Sequence, residues 1–177
     1  FNGYTQPLLR RTQAYSFAKR ISGDQRAAFE RRVRDEGLTN FTVRELTADG
    51  QLQLAGERDE YVPVLYSQTQ SKLGAPLGYD LLAQPLRRAT LERADQHRGM
   101  AVSQPMHLVS IEPAYARGVL LVAPVMSRDD PDAAKNKPFG YVMAVISMRQ
   151  LLADGLPEAG RDYLSVRILD LSTDDQH

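Results

Sequence analysis

The chain of 177 residues carries 42% hydrophobic and 25% charged residues, a globular composition long enough to bury a core of its own. Its 22 basic and 22 acidic residues cancel, and the arginines form no long block, which argues against nucleic acid as a partner. Cysteine is absent, which excludes disulfides, thiolate nucleophiles and cysteine–zinc sites, and no apolar run approaches the roughly 18 to 20 residues of a membrane-spanning helix.

The amino-terminal segment reads as helix. Phe1, Tyr4, Leu8, Tyr15 and Ala18 fall on heptad a and d positions, with Arg11 interrupting the pattern. Thr5 is placed to cap a helix entered at Pro7. A second helix is expected after a break at Ser22-Gly23. Ser22 and Gln25 have capping-box spacing, Phe29 and Val33 make a thin apolar face with Ala28, and Gly37 closes the segment. The arginines of RAAFERRVRDEG suit a solvated face. From Asn40 the period changes to two, with FTVREL and QLQLA flanking the hairpin signal Ala48-Asp49-Gly50.

Tyr61 to Ser67 is expected as a strand, and Pro63 points to an edge or a bulge. A polar arc follows, pivoting on Gly74, Pro76 and Gly78 and ending on Asp80, longer than a simple turn requires. Pro85 to His97 has a helical pattern, with Leu86, Thr90 and Ala94 on one face, an Arg88–Glu92 pair on the other, and Gly99 as its end. MHLVSI, GVLLVAPVM and GYVMAVISM read as strands, and the weak alternation of the second indicates burial on both faces. The third runs into a short helix through Leu152, and YLSVRILDL is a final strand. This order cannot give a doubly wound sheet. It predicts an α+β fold in which residues 139–147, 118–126 and 106–110 are antiparallel neighbours, with 61–67 nearby.

Catalytic signatures are missing: GxSxG, P-loop, GxGxxG and HExxH patterns do not occur. His97, His107 and His177 are not spaced as metal ligands. The loop RDDPDAAKNKP lacks the spacing of a calcium loop and reads as a solvated connector. No nucleophile is paired with a base, so no enzyme is expected, and no cofactor.

EYVPVLYSQ, LGYD, PLRRATLERADQHRGMAVSQPMHLV, GVLLVAPV and GYVMAVISMRQLL, in this order, resemble the CHASE domain. That family is the extracytoplasmic sensory module of membrane histidine kinases and nucleotide cyclases. Arg26, Phe29 and Glu30 match its R-x-x-F-E segment, and the resemblance runs from Gln25 to Leu152. It implies a helical stalk over residues 1–36, a membrane-distal PAS-like lobe over 37–152 that binds a small molecule, and a membrane-proximal strand segment over 153–177. It further implies flanking transmembrane helices, a homodimer formed through the stalks, a periplasmic position on an inner-membrane protein, and output through two-component or cyclic di-GMP signalling.

By the same resemblance a ligand sits between the sheet and the elements covering one face. An aspartate matching Asp80 contacts the purine in the cytokinin-binding branch, and Tyr66, Val109, Val122, Tyr141 and Ala144 are the other expected lining residues. The residues themselves allow Asp80 a second role, capping the helix that follows. Val122 replaces a threonine of the cytokinin receptors, and Met143-Ala144 replaces a Gly-Gly pair, which narrows the space. A cytokinin-like purine, an amino acid, another carboxylate or a peptide all stay open. So does a different class, a structural or protein-interaction module with a filled core. Whether the cavity between the strands is open or plugged separates the two.

Overall fold

The computed structural model describes residues 12–127 and 137–155. The expectations for Phe1, Tyr4, Thr5, Pro7, Leu8 and Arg11, for most of the acidic loop, for the final strand and for His177 lie outside these residues.

In AYSFAK, Ala14, Ser16 and Ala18 are buried and Tyr15, Phe17 and Lys19 half-buried, a period of two. Ala14–Lys19 is therefore a strand, β1, and the helical reading of Tyr15 and Ala18 is corrected. Heptad spacing lost to pairing on both edges: β1 lies antiparallel between β6 (Val64–Thr69) and β10 (Gly140–Ser147). Small Ala14, Ser16 and Ala18 let the sheet's inner face be approached closely, while Tyr15 and Phe17 take the other. The sheet continues from β10 to β9 (Arg117–Val125), which pairs with β7 (Ala101–Val102) and β8 (Met106–His107), every pair antiparallel. The expected neighbours of GVLLVAPVM are thus found, and the strand is flanked on both sides. The α+β expectation holds, except that β1 separates β6 from β10. The sheet draws on chain from both sides of the boundary expected at residue 36.

Pro63 and the strand after it behave as proline chemistry dictates. β6 is an edge strand, and its register against β1 shifts between Phe17 and Ala18, which face Tyr66 and Val64 and leave Leu65 as the extra residue. Just before, β5 (Glu60–Tyr61) pairs with β2 (Ile21–Ser22).

Helix α1 (Arg26–Asp35) is entered through a short 3-10 turn, Gly23–Gln25, and Ser22 makes no side-chain cap bond, so the capping box is not formed. Gly37 closes the helix as expected, at φ +110°, with its N–H donating to Arg34 O at 3.0 Å. Phe29 and Val33 are buried, the former edge-on to Phe41 at 5.8 Å. The solvated reading fails for Arg26. Its guanidinium meets Glu30 at 3.0 Å and donates to Ala55 O at 2.8 Å and Val43 O at 3.2 Å, while Glu30 accepts from Val43 N–H at 2.9 Å. Arg26, Phe29 and Glu30 together clamp α1 to the flanks of the hairpin β3–β4 (Arg44–Leu46 and Leu52–Leu54), whose turn has Gly50 at φ +78°.

Helix α2 (Pro85–His97) packs across β9 and β7. Gln84 caps it, its side-chain oxygen accepting from Arg87 N–H at 2.9 Å. At the other end Arg98, not Gly99, takes the left-handed position at φ +48°. Arg88 does not pair with Glu92 but donates to Leu82 O at 2.9 Å and 2.6 Å, because a free carbonyl ahead of the helix lies within its reach. Leu91 and Ala94 meet Ala18, Val122, Tyr141 and Met143 in the main core, and a second core lies under α1 around Val33, Val43 and Tyr61. Helix α3 (Met148–Gly155) follows β10 without a break.

Candidate functional site

LGYD ends the arc, and each of its last three residues has a separate task. Gly78 sits at φ +79°, accepts from Arg44 N–H and donates to Val64 O, both at 2.8 Å. Tyr79 O accepts from Val64 N–H at 3.0 Å, and Asp80 N–H donates to Arg44 O at 2.8 Å. The arc's end is thereby laced between β3 and β6. Asp80 is fully buried, and its Oδ1 accepts from Val62 N–H at 2.8 Å and Leu82 N–H at 3.1 Å. Its Oδ2 faces Arg58 at 3.4 Å, and Arg58 also pairs with Glu45. Burial pushes the Asp80 carboxyl above its ordinary range, against the pull of the two backbone N–H groups and Arg58, whereas the Arg58 hydrogen bond holds Glu45 below its own. Asp80 caps the 3-10 turn Leu81–Ala83, while α2 is capped by Gln84.

Beneath the arc, between α2 and the inner face of the sheet, lies a cavity of about 40 Å³. Ser16, Val64, Tyr79, Arg87, Val109 and Met143 are among its lining residues. That volume suits a water or two, where drug-sized ligands occupy roughly 300 to 1,000 Å³. Met143, at the position expected to narrow the space, is on the wall. Larger hollows exist, one of about 420 Å³ bordered by Arg20, Arg58, Glu60, Arg88 and Lys137. They are open surface clefts, and these charged groups are engaged with protein partners: Arg20 and Lys137 with Glu60, Arg58 with Glu45, Arg88 with Leu82 O.

Arg87 is the unusual group of the small cavity. It is 4% exposed, and its guanidinium donates to the Tyr79 hydroxyl at 3.2 Å and to His107 O at 3.1 Å, with the Tyr79 ring 5.2 Å away. No carboxylate among the described residues pairs with it. Burial lowers its pKa, against the partial relief from Tyr79. A buried cation without a counter-charge is costly, and stays charged only where other groups stabilise it.

The six lining residues expected from the sequence divide among different surroundings. Val109 lines the cavity. Val122 and Tyr141 belong to the same inner face but sit in the packed core, and the Tyr141 hydroxyl donates to Asp95 at 2.6 Å beside Arg20. That burial and the Asp95 carboxylate raise the Tyr141 pKa. Tyr66 is paired in register with Phe17, which faces Val142, so Tyr66 shares the outer sheet face with Val142 and Ala144. Tyr66 is 43% exposed and stacks on Phe17 at 6.4 Å. Asp80 is engaged by protein donors on both oxygens.

Sequence reasoning passed over Arg87, Tyr79 and Ser16. One signal was available for the first. Arg87, Thr90, Leu91 and Ala94 have the i, i+3, i+4, i+7 spacing of a buried stripe, and an arginine on such a stripe is out of place. Among the described residues, no cluster of three or more His, Asp or Glu side chains is arranged to hold a metal, and no helix is long and apolar enough to cross a membrane.

An antiparallel sheet covered on one face by a helix and a laced arc, enclosing a small interior cavity with one buried cation, defines an α+β domain with no catalytic constellation among its described residues. A family model described as CHASE domain matches residues 1–177, and the chain belongs to the CHASE family. CHASE is an extracellular sensory domain of signalling receptors, not a catalytic one. Comparison with curated proteins gives no match.

Proposed function

We propose that this domain is the extracytoplasmic sensor of a membrane receptor and that a small molecule binds in the inner-face cavity beneath the arc. The observation that carries this reading is the cavity itself, an apolar interior with a few convergent polar groups, as ligand sites have. Val109 contributes its wall, Val122 and Tyr141 the packed floor around it, and Asp80 fastens the cover. Met143 and Val145 of β10 line the same space, and α3 begins three residues after Val145. A ligand that spreads this wall would displace β10 and therefore α3, a route by which binding reaches the chain beyond and a kinase or cyclase inside the cell. Homodimerisation through the amino-terminal segment belongs to the same proposal.

The small volume favours a second reading, a filled module that responds to a protein partner. The two differ in a measurement. A metabolite screen by thermal shift should find a compound that raises the melting temperature of the 177-residue chain. Saturation at about 100 Kd is worth roughly 2.7 kcal/mol, hence about 5 to 10 °C for a domain of this size. Val109→Phe, which fills the cavity from a half-buried position, should fold and lose that response. A flat screen, or an equal shift in the variant, contradicts the sensor reading.

A further inference from the structure

We propose that the cavity's ligand is a short-chain carboxylate held by Arg87, an inference that rests on the sensor reading above and narrows it to one ligand class. A guanidinium presents a planar fork of N–H donors, and here its two protein acceptors are neutral and both at more than 3 Å. Among the described residues no carboxylate completes it. Asp80, which caps the 3-10 turn leading into α2, is engaged with Val62, Leu82 and Arg58, and Asp95 with Arg20 and Tyr141. Every other described carboxylate is likewise out of ion-pair range of Arg87. An anion entering from outside would therefore meet a desolvated cation with no carboxylate partner among the described residues, the circumstance in which a charge-assisted, two-pronged bond is strongest.

The remaining walls set the size and polarity of the rest of the ligand. Leu108, Val109, Leu120 and Met143 are apolar, and Ser16 donates its hydroxyl to Ser67 at 2.8 Å. A volume of about 40 Å³ holds a water or two, so a carboxylate with a tail of very few carbons enters only by spreading the arc and β10 slightly, and a purine would need far more. Tyr79 completes the device. Its backbone is laced to β6 and its hydroxyl accepts from Arg87, so a ligand that draws Arg87 away loosens the arc's end from α2.

Acetate, propionate and pyruvate, with acetamide and propionamide as neutral controls at matched ionic strength, provide the test on the 177-residue chain. The carboxylates should raise the melting temperature saturably and the amides should not. Arg87→Gln should weaken the carboxylate response at least tenfold, and Arg87→Lys, which keeps the charge but loses the fork, should fall between. A merely structural Arg87 predicts lower melting temperatures in these variants with the response to anions unchanged. Should Arg87→Gln fail to fold, the side-chain nitrogen resonance of Arg87 in the unmodified chain decides: it should move with propionate and stay put with propionamide. Absence of a saturable carboxylate effect, or of that resonance shift, overturns the proposal. A neutral compound that stabilises the chain but not Val109→Phe overturns only the anionic ligand and leaves the sensor reading standing.

Discussion

Asp80→Ala should destabilise the domain by about 3 kcal/mol, while Asp80→Asn stays within about 1 kcal/mol of the parent. The alanine leaves Val62 N–H and Leu82 N–H without their acceptor, the first of them in the buried interior. Each orphaned group costs on the order of 1 to 3 kcal/mol. Asparagine keeps an oxygen for both N–H groups and gives up only the longer contact to Arg58, whose side chain is partly exposed and still has Glu45. Urea denaturation of the three proteins measures this directly. The pH dependence follows with a definite sign. Burial raises the folded-state pKa of Asp80 above its ordinary 3.8. The aspartate's contribution to stability is then complete below that value and declines as pH rises through the folded pKa. Asparagine does not titrate, so Asp80→Asn should gain on the parent as pH increases across this window. A difference that is flat with pH would mean that Asp80 is not perturbed by its burial.

Gly78→Ala should cost about 3 kcal/mol or more, against about 1 kcal/mol for Gly74→Ala. Both glycines have positive φ, +79° and +81°, so both substitutions carry the left-handed penalty. They differ in space. A Cβ at Gly78 would lie 2.0 Å from Thr42 O, whereas one at Gly74 meets nothing within 4 Å. Gly78 cannot retreat, because its N–H is bound to Val64 O and its carbonyl to Arg44 N–H. The comparison isolates the lacing of the arc from the conformational term. Equal losses at the two positions would show that the close approach to Thr42 is not maintained in solution.

What was legible in the sequence followed from local rules. The hairpin announced itself through Ala48-Asp49-Gly50, α2 through Pro85 and its apolar stripe, and the edge character of β6 through Pro63. β1 was not legible as a strand, because Tyr15 and Ala18 satisfy a helical spacing as well as a strand alternation. What decided between them was pairing with β6 and β10, segments some fifty and one hundred and thirty residues away in sequence. The site divided in the same manner. Val122 and Tyr141 fall on the inner face as strand alternation allows, and Val109 reaches the cavity from the turn after β8, but Tyr66 follows the bulge at Leu65, and Ala144 is one step out of phase with Met143. A single-residue shift exchanges the faces of a strand, and no local pattern reveals it. Arg87 escaped notice for the opposite reason, since an arginine in a helix rich in arginine looks like solvated surface until its neighbours on the stripe are compared.

The central claim is that a ligand occupies the cavity beneath the arc and acts on β10 and α3. Hydrogen exchange on the 177-residue chain, with and without a saturating compound from the thermal-shift screen, tests it most directly. The account predicts slowed exchange in β10 and at the β10–α3 junction, a change in the arc from Gln70 to Asp80, and none in the β3–β4 hairpin. Protection confined to the open cleft bordered by Arg20, Arg58 and Lys137, with β10 and α3 unchanged, would contradict it.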